Sequence, residues 1–183
     1  MTGIRLLFLD IDGVMNNNKT IREHRARPGM SMDLAAICPK RVQMLNEILH
    51  KTGARLVLSS SWRDYGLYGP EKTLVRLREE GLDPRHEWYG VTEDFDNFTD
   101  AQQESWWARY PRVRGVYNNE RVFEVQDFLE RQKSSGVEVS HFVILDDLGG
   151  FKHLERYQIK TNMDHGLQQE HIERACKLLG VEE

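Results

Sequence analysis

Cysteine is scarce in this chain of 183 residues: there are two, Cys38 and Cys176, far apart and without the spacing of a metal or redox pair. No disulfide framework is implied. Long apolar runs are missing as well. Nothing approaches the roughly 18 apolar residues of a membrane span. The first apolar stretch stops at Asp10, too short for the core of a signal peptide. No membrane partner is expected, and a cytoplasmic location is the default. Basic residues are not in excess. Lys plus Arg number 25 against 29 Asp plus Glu, a net charge of −4, which excludes a uniformly basic nucleic-acid coat but not a local basic patch.

What is present suits one compact domain over residues 1–183. A chain this long buries roughly 70% of the surface its unfolded form exposes, so a real core is feasible. Short apolar runs alternate with helical patterns, which predicts an α/β layer architecture with a largely parallel sheet. Arg5 to Leu9, Arg55 to Leu58, His141 to Leu145 and Tyr157 to Thr161 read as strands. Pro39 opens a helix with Val42, Leu45, Ile48 and Leu49 on one face, and Gly53 follows its end. Further helices start at Pro70, near Asn118 or Asn119, and near Gln168.

Two stretches break the alternation and read as cap-like insertions over a common face of the sheet, at about 16–37 and 93–115. In the first, Lys19, Arg22, Arg25 and Arg27 stand against Glu23. This cationic segment could steer a phosphorylated ligand, or be a solvated loop. In the second, Glu93 to Glu104 holds five acids and no base.

Three strands end in acid or hydroxyl. Leu9-Asp10-Ile11-Asp12-Gly13 ends the first, Leu58-Ser59-Ser60-Ser61-Trp62-Arg63 the second, and Leu145-Asp146-Asp147 the third. A buried carboxylate without a partner is costly, so the acidic ends call for a cation or dense hydrogen bonding, while the serine hydroxyls can donate to an anion. In a parallel sheet these ends converge on one edge, where ligands bind. A hard ion held by carboxylate oxygens, without Cys or clustered His, points to Mg²⁺.

The motifs LDIDGV, LSSSWR and ILDD, in that order, resemble those of phosphatases of the haloacid-dehalogenase (HAD) superfamily. The closer likeness is to the small HAD domain of "Swiss-army-knife" RNA-repair proteins, and it takes in Thr52-Gly53-Ala54 and Gly166-Leu167. The resemblance implies a Rossmann-like three-layer α/β/α fold and an Mg²⁺-dependent phosphomonoesterase. Asp10 would be the nucleophile that becomes an aspartyl-phosphate, and Asp12 the general acid and then base. Ser59, with Ser60 as the neighbouring alternative, would bind phosphate. Asp10, the main-chain carbonyl of Asp12, Asp146 and Asp147 would hold the metal. A fixed cation is also implied, for which Arg121 at a helix start is the choice and Arg63 beyond the serines the competitor. The implied partner is a phosphorylated substrate, favoured as a nucleic-acid 3′-phosphate end. The alternatives are an adaptor that binds phosphate ends or a protein without turnover, and a phosphotransferase or mutase. Trp62, Trp106 and Trp107 could stack bases or simply pack, and His86, His153 and His165 are given no role.

Overall fold

The computed structural model describes residues 3–26, 36–66, 68–111 and 119–181. Among these, five strands form one parallel sheet: β1 (Ile4–Leu9), β2 (Arg55–Leu58), β3 (Trp88–Val91), β4 (Val139–Asp146) and β5 (Gln158–Lys160), in the order β3-β2-β1-β4-β5. Six α-helices accompany them: α1 (Asn18–Arg25), α2 (Pro39–Thr52), α3 (Gly69–Glu79), α4 (Asp100–Arg109), α5 (Arg121–Ser134) and α6 (Gln169–Leu178). None of these is long and apolar enough to cross a membrane.

The central strands carry apolar side chains at successive positions because both faces are covered. Leu7 and Leu9 of β1 join Leu56, Leu58, Val143 and Leu145 in a core completed by α2, α3 and α6. Leu6 and Phe8 point to the other side, with Val57 and Ile144, against Phe123 and Phe128 of α5. This gives the expected three layers. The α2 face is the expected one, with Val42, Leu45, Ile48 and Leu49 all buried. Gly53 ends it at φ 64°, a left-handed conformation natural to glycine, with its N–H on the Leu49 carbonyl at 2.8 Å.

The sheet has one strand more than the sequence pattern predicts. β3 is a short edge strand, half-buried throughout and interrupted by Gly90, so neither alternation nor a solid apolar run announces it. The two irregular stretches also contain helices. Asn17 caps α1 by accepting from the Thr20 N–H, and Thr99 and Gln102 form a capping box at the start of α4. Phe95, Phe98 and Trp106 of the second stretch are buried against Phe123, and Trp107 meets the same ring edge-on at 4.7 Å. Both Trp106 and Trp107 therefore pack. Residues 27–35 and 112–118, with Arg27, Arg112, Arg114 and Asn118, lie outside the described residues.

Candidate active site

Register alone gathers the site. Leu9 pairs with Leu58 on one side and with Leu145 on the other, so the residues that follow them are neighbours. The Asp10 N–H donates to the Leu145 carbonyl at 3.0 Å, and the Ser59 N–H to the Leu9 carbonyl at 2.9 Å. Asp10, Ser59 and Asp146 thus stand abreast where the strand order reverses direction about β1, the place where ligands bind in such sheets.

Asp10 is 3% exposed and Asp146 wholly buried. With Asp147 they can each offer one carboxylate oxygen, all within 4.8 Å of one another. Gly13 makes the approach of Asp147 possible: its φ is 68°, and a Cβ there would collide with the Asp147 carboxylate. Arg121, the first residue of α5, reaches into the cluster. Its Nη1 lies 2.9 Å from Asp10 Oδ2 and 2.5 Å from Asp146 Oδ2. Asn119 aids the start of α5, its Oδ1 accepting from the Arg121 N–H at 3.0 Å.

One guanidinium does not balance three acids. Burial pushes the Asp146 carboxyl up to about 7, with Arg121 opposing and Asp10 adding to the rise. Burial raises Asp10 as well, and outweighs Arg121 and the hydrogen bonds from Ser60 and the Ile11 N–H. Asp147 is raised by burial and by the charge of Asp10. Burial alone would lower Arg121, but Asp10 and Asp146 together hold it above its usual value. Acids raised by burial and by one another have the chemistry of a divalent-cation site. The three carboxylates fit Mg²⁺, with hard oxygen donors and no sulfur or imidazole among them.

Asp12 is held differently. Its Oδ1 accepts from Asn16 Nδ2 at 2.7 Å and its Oδ2 from the Trp62 indole N–H at 2.8 Å. Two neutral donors fix its orientation. Asn16 is itself fixed, because its Oδ1 accepts from the Gly13 N–H at 3.0 Å. Asn16 is not singled out by the sequence pattern, and Trp62, read there as a base-stacking or packing residue, serves instead as a donor to Asp12. Asn16 sits four positions beyond Asp12, and Trp62 comes from another strand end.

The two serines part company. Ser60 is hydrogen-bonded to Asp10 and accepts from the Trp62 N–H at 3.4 Å. Ser59 Oγ is buried with no hydrogen-bond partner among the described residues. The two arginines part as well. Arg63 lies away from Asp10: its Nη2 bonds Asp94 and Glu124, each at 2.8 Å, and its Nη1 reaches Thr92 at 3.3 Å. Arg121, not Arg63, is the cation beside the acids.

A three-layer α/β domain with an Asp-x-Asp strand end and a helix-borne arginine gathers here an acidic cluster that could hold a metal ion, with one fixed positive charge beside it. The chain belongs to the family described as the HAD domain in Swiss Army Knife RNA repair proteins, which it matches over residues 6–172. Neither the curated proteins nor the solved structures gave a match.

Proposed function

We propose that this domain is an Mg²⁺-dependent phosphomonoesterase that works through a phosphorylated Asp10, and that its substrate is a phosphorylated nucleic-acid end. The observation that carries this reading is the convergence of Asp10, Asp146 and Asp147 around Arg121 at the strand ends. Asp10, Asp146 and Asp147, with the main-chain carbonyl of Asp12, would hold Mg²⁺. That ion supplies neutralising charge between an anionic nucleophile and an anionic substrate.

The chain's own residues then divide the work. An Asp10 oxygen attacks phosphorus as the ester P–O bond breaks, and Asp12 hands a proton to the leaving alkoxide. Asp12, now ionised, takes a proton from water as that water attacks phospho-Asp10. That attack breaks the bond between phosphorus and Asp10, so Asp10 returns as a carboxylate, Asp12 is protonated again and inorganic phosphate leaves; atoms and charge balance. Arg121 supplies a fixed positive charge for the phosphoryl oxygens. The unpartnered Ser59 hydroxyl is a donor in reserve for the same group, and its burial without a partner supports that role. The family's place in RNA repair supports a nucleic-acid end over a small metabolite.

The test is phosphate release from an aryl phosphate, with Mg²⁺ or with chelator, followed by a panel of 3′-phosphorylated oligonucleotides, nucleotides and sugar phosphates. Turnover should need Mg²⁺ and fall at least about 10³-fold in Asp10→Asn. Preference for a sugar phosphate would remove the nucleic-acid reading. Turnover that survives Asp10→Asn unchanged would remove the nucleophile.

A further inference from the structure

A second constellation lies at the opposite edge of the sheet, where the strands begin. His50 is in the last turn of α2, while Asp83 and His86 belong to the turn between α3 and β3. This joins residues 33 apart in sequence, His50 Nε2 lying 3.0 Å from Asp83 Oδ2. The His50 and His86 rings are 5.2 Å apart. One ligand atom from each of His50, Asp83 and His86 lies within 4.8 Å of the others. The sequence gives His86 no role, because its partners meet only in the fold.

We propose that His50, Asp83 and His86 form a binding site for a divalent first-row transition ion of the Zn²⁺ or Co²⁺ type. Two features support it. The Nε2 of His86 is buried without a partner, an arrangement that costs free energy unless a ligand completes it. The site already holds a cation, since the exposed Arg85 lies across it. Arg85 Nη2 is 2.6 Å from Asp83 Oδ2 and 3.3 Å from His50 Nε2. Arginine has donors only, so it stands where a positive charge satisfies Asp83, yet it leaves His86 unsatisfied.

Arg85 is 76% exposed on its side chain and can swing into solvent. A cleft of about 420 Å³, lined in part by Gly53, Arg85, His86 and Trp88, opens beside the site. Two imidazoles and one carboxylate suit Zn²⁺ or Co²⁺ and discriminate against Mg²⁺, which prefers oxygen alone. The two centres therefore select different metals.

The experiment is a Co²⁺ titration of the full chain in millimolar Mg²⁺, followed by the visible absorption of bound cobalt. One saturable equivalent is expected per chain. His50→Ala and His86→Ala should each weaken it at least about tenfold, and Asp10→Asn should not. Arg85→Gln should bind more tightly than the parent. Melting curves of every variant establish that it is folded. Absence of saturable binding, or either histidine variant binding as the parent does, overturns the site; Arg85→Gln binding no more tightly overturns the claim that Arg85 holds the ion's place.

Discussion

Two buried arginines in this molecule each sit between two carboxylates, and they do opposite things. Arg63 lies among Asp94, Glu124 and Thr92 at the end of β3 and the start of the second irregular stretch. Glu124 also accepts from the Phe95 N–H at 3.1 Å, so this group ties the 94–98 turn to α5. Its acids are divided: burial would raise Asp94, but the Asp96 N–H and Arg63 outweigh it, whereas burial raises Glu124 past what Arg63 can offset. Arg121 faces Asp10 and Asp146 with Asp147 behind them, and all three acids are raised. The Arg63 group joins three segments of backbone. The Arg121 group sets one guanidinium against three acids that could hold a metal ion. Both groups carry more acid than base, by one carboxylate at Arg63 and by two at Arg121, and the size of that surplus, more than burial of a charge, separates them.

Exchange of roles would break this comparison most sharply. Arg121→Ala should lower kcat/KM about 10²–10³-fold, the scale of losing one fixed donor to the transferring group. Arg63→Ala should leave turnover within a few-fold but cost about 3–5 kcal/mol of stability, because it strands a buried Glu124 without its partner. Kinetics and thermal melts of the same two proteins measure both. If Arg63→Ala abolishes turnover at unchanged melting temperature, the assignment of the two groups is reversed.

The strand-end site was largely legible in the sequence, and the reason is geometric. Asp10, Ser59 and Asp146 each follow a solid apolar run, so parallel pairing alone brings them together. Arg63 and Arg121 could not be separated that way. Arg63 is next to the serine motif in sequence, but the 3₁₀ turn Ser61–Arg63 carries it toward Thr92 and Asp94. Contacts that cross between elements stayed hidden for the same reason. Trp62 reaches Asp12 across 50 positions, and His50 reaches Asp83 across 33. β3 and α4 were missed because β3 is only four residues long and half-buried, and α4 buries only Trp106, against the Phe123 of α5.

Protonation sharpens the contrast with a smaller effect. An aspartate has an ordinary value of 3.8, and Asp146 is pushed up to about 7. Between those values the native state keeps protons the unfolded chain has released. The stabilising contribution is therefore complete below pH about 4 and is lost as pH rises through about 7. Metal-free protein should melt lower at pH 8 than at pH 5 on account of this cluster. Mg²⁺ should raise the melting temperature more at pH 8, where the acids are ionised without it. Arg121→Ala should enlarge that response to Mg²⁺, and Arg63→Ala should leave it unaltered. Paired melts in chelator and in Mg²⁺ at the two pH values decide it; an equal response at both would remove the surplus-charge argument.

The smallest effect belongs to the residues that hold Asp12. Trp62 is 5% exposed and stacks on Tyr68 at 4.4 Å, so Trp62→Phe keeps much of the packing and deletes only the N–H that Asp12 accepts. The loss is one hydrogen bond, at most about 1.5 kcal/mol, or about tenfold in rate if it falls wholly on the transition state. Where it falls is testable by the leaving group. The parameter kcat/KM reports formation of phospho-Asp10, the step in which Asp12 protonates the departing oxygen. An alkyl phosphate needs that proton, because an alkoxide is a poor leaving group; nitrophenolate leaves without it. Trp62→Phe should therefore lose about tenfold on an alkyl phosphate or a nucleotide end and stay near parental on nitrophenyl phosphate. Trp62 acts through Asp12 and is a positioning residue, and a merely structural role would lower both substrates alike.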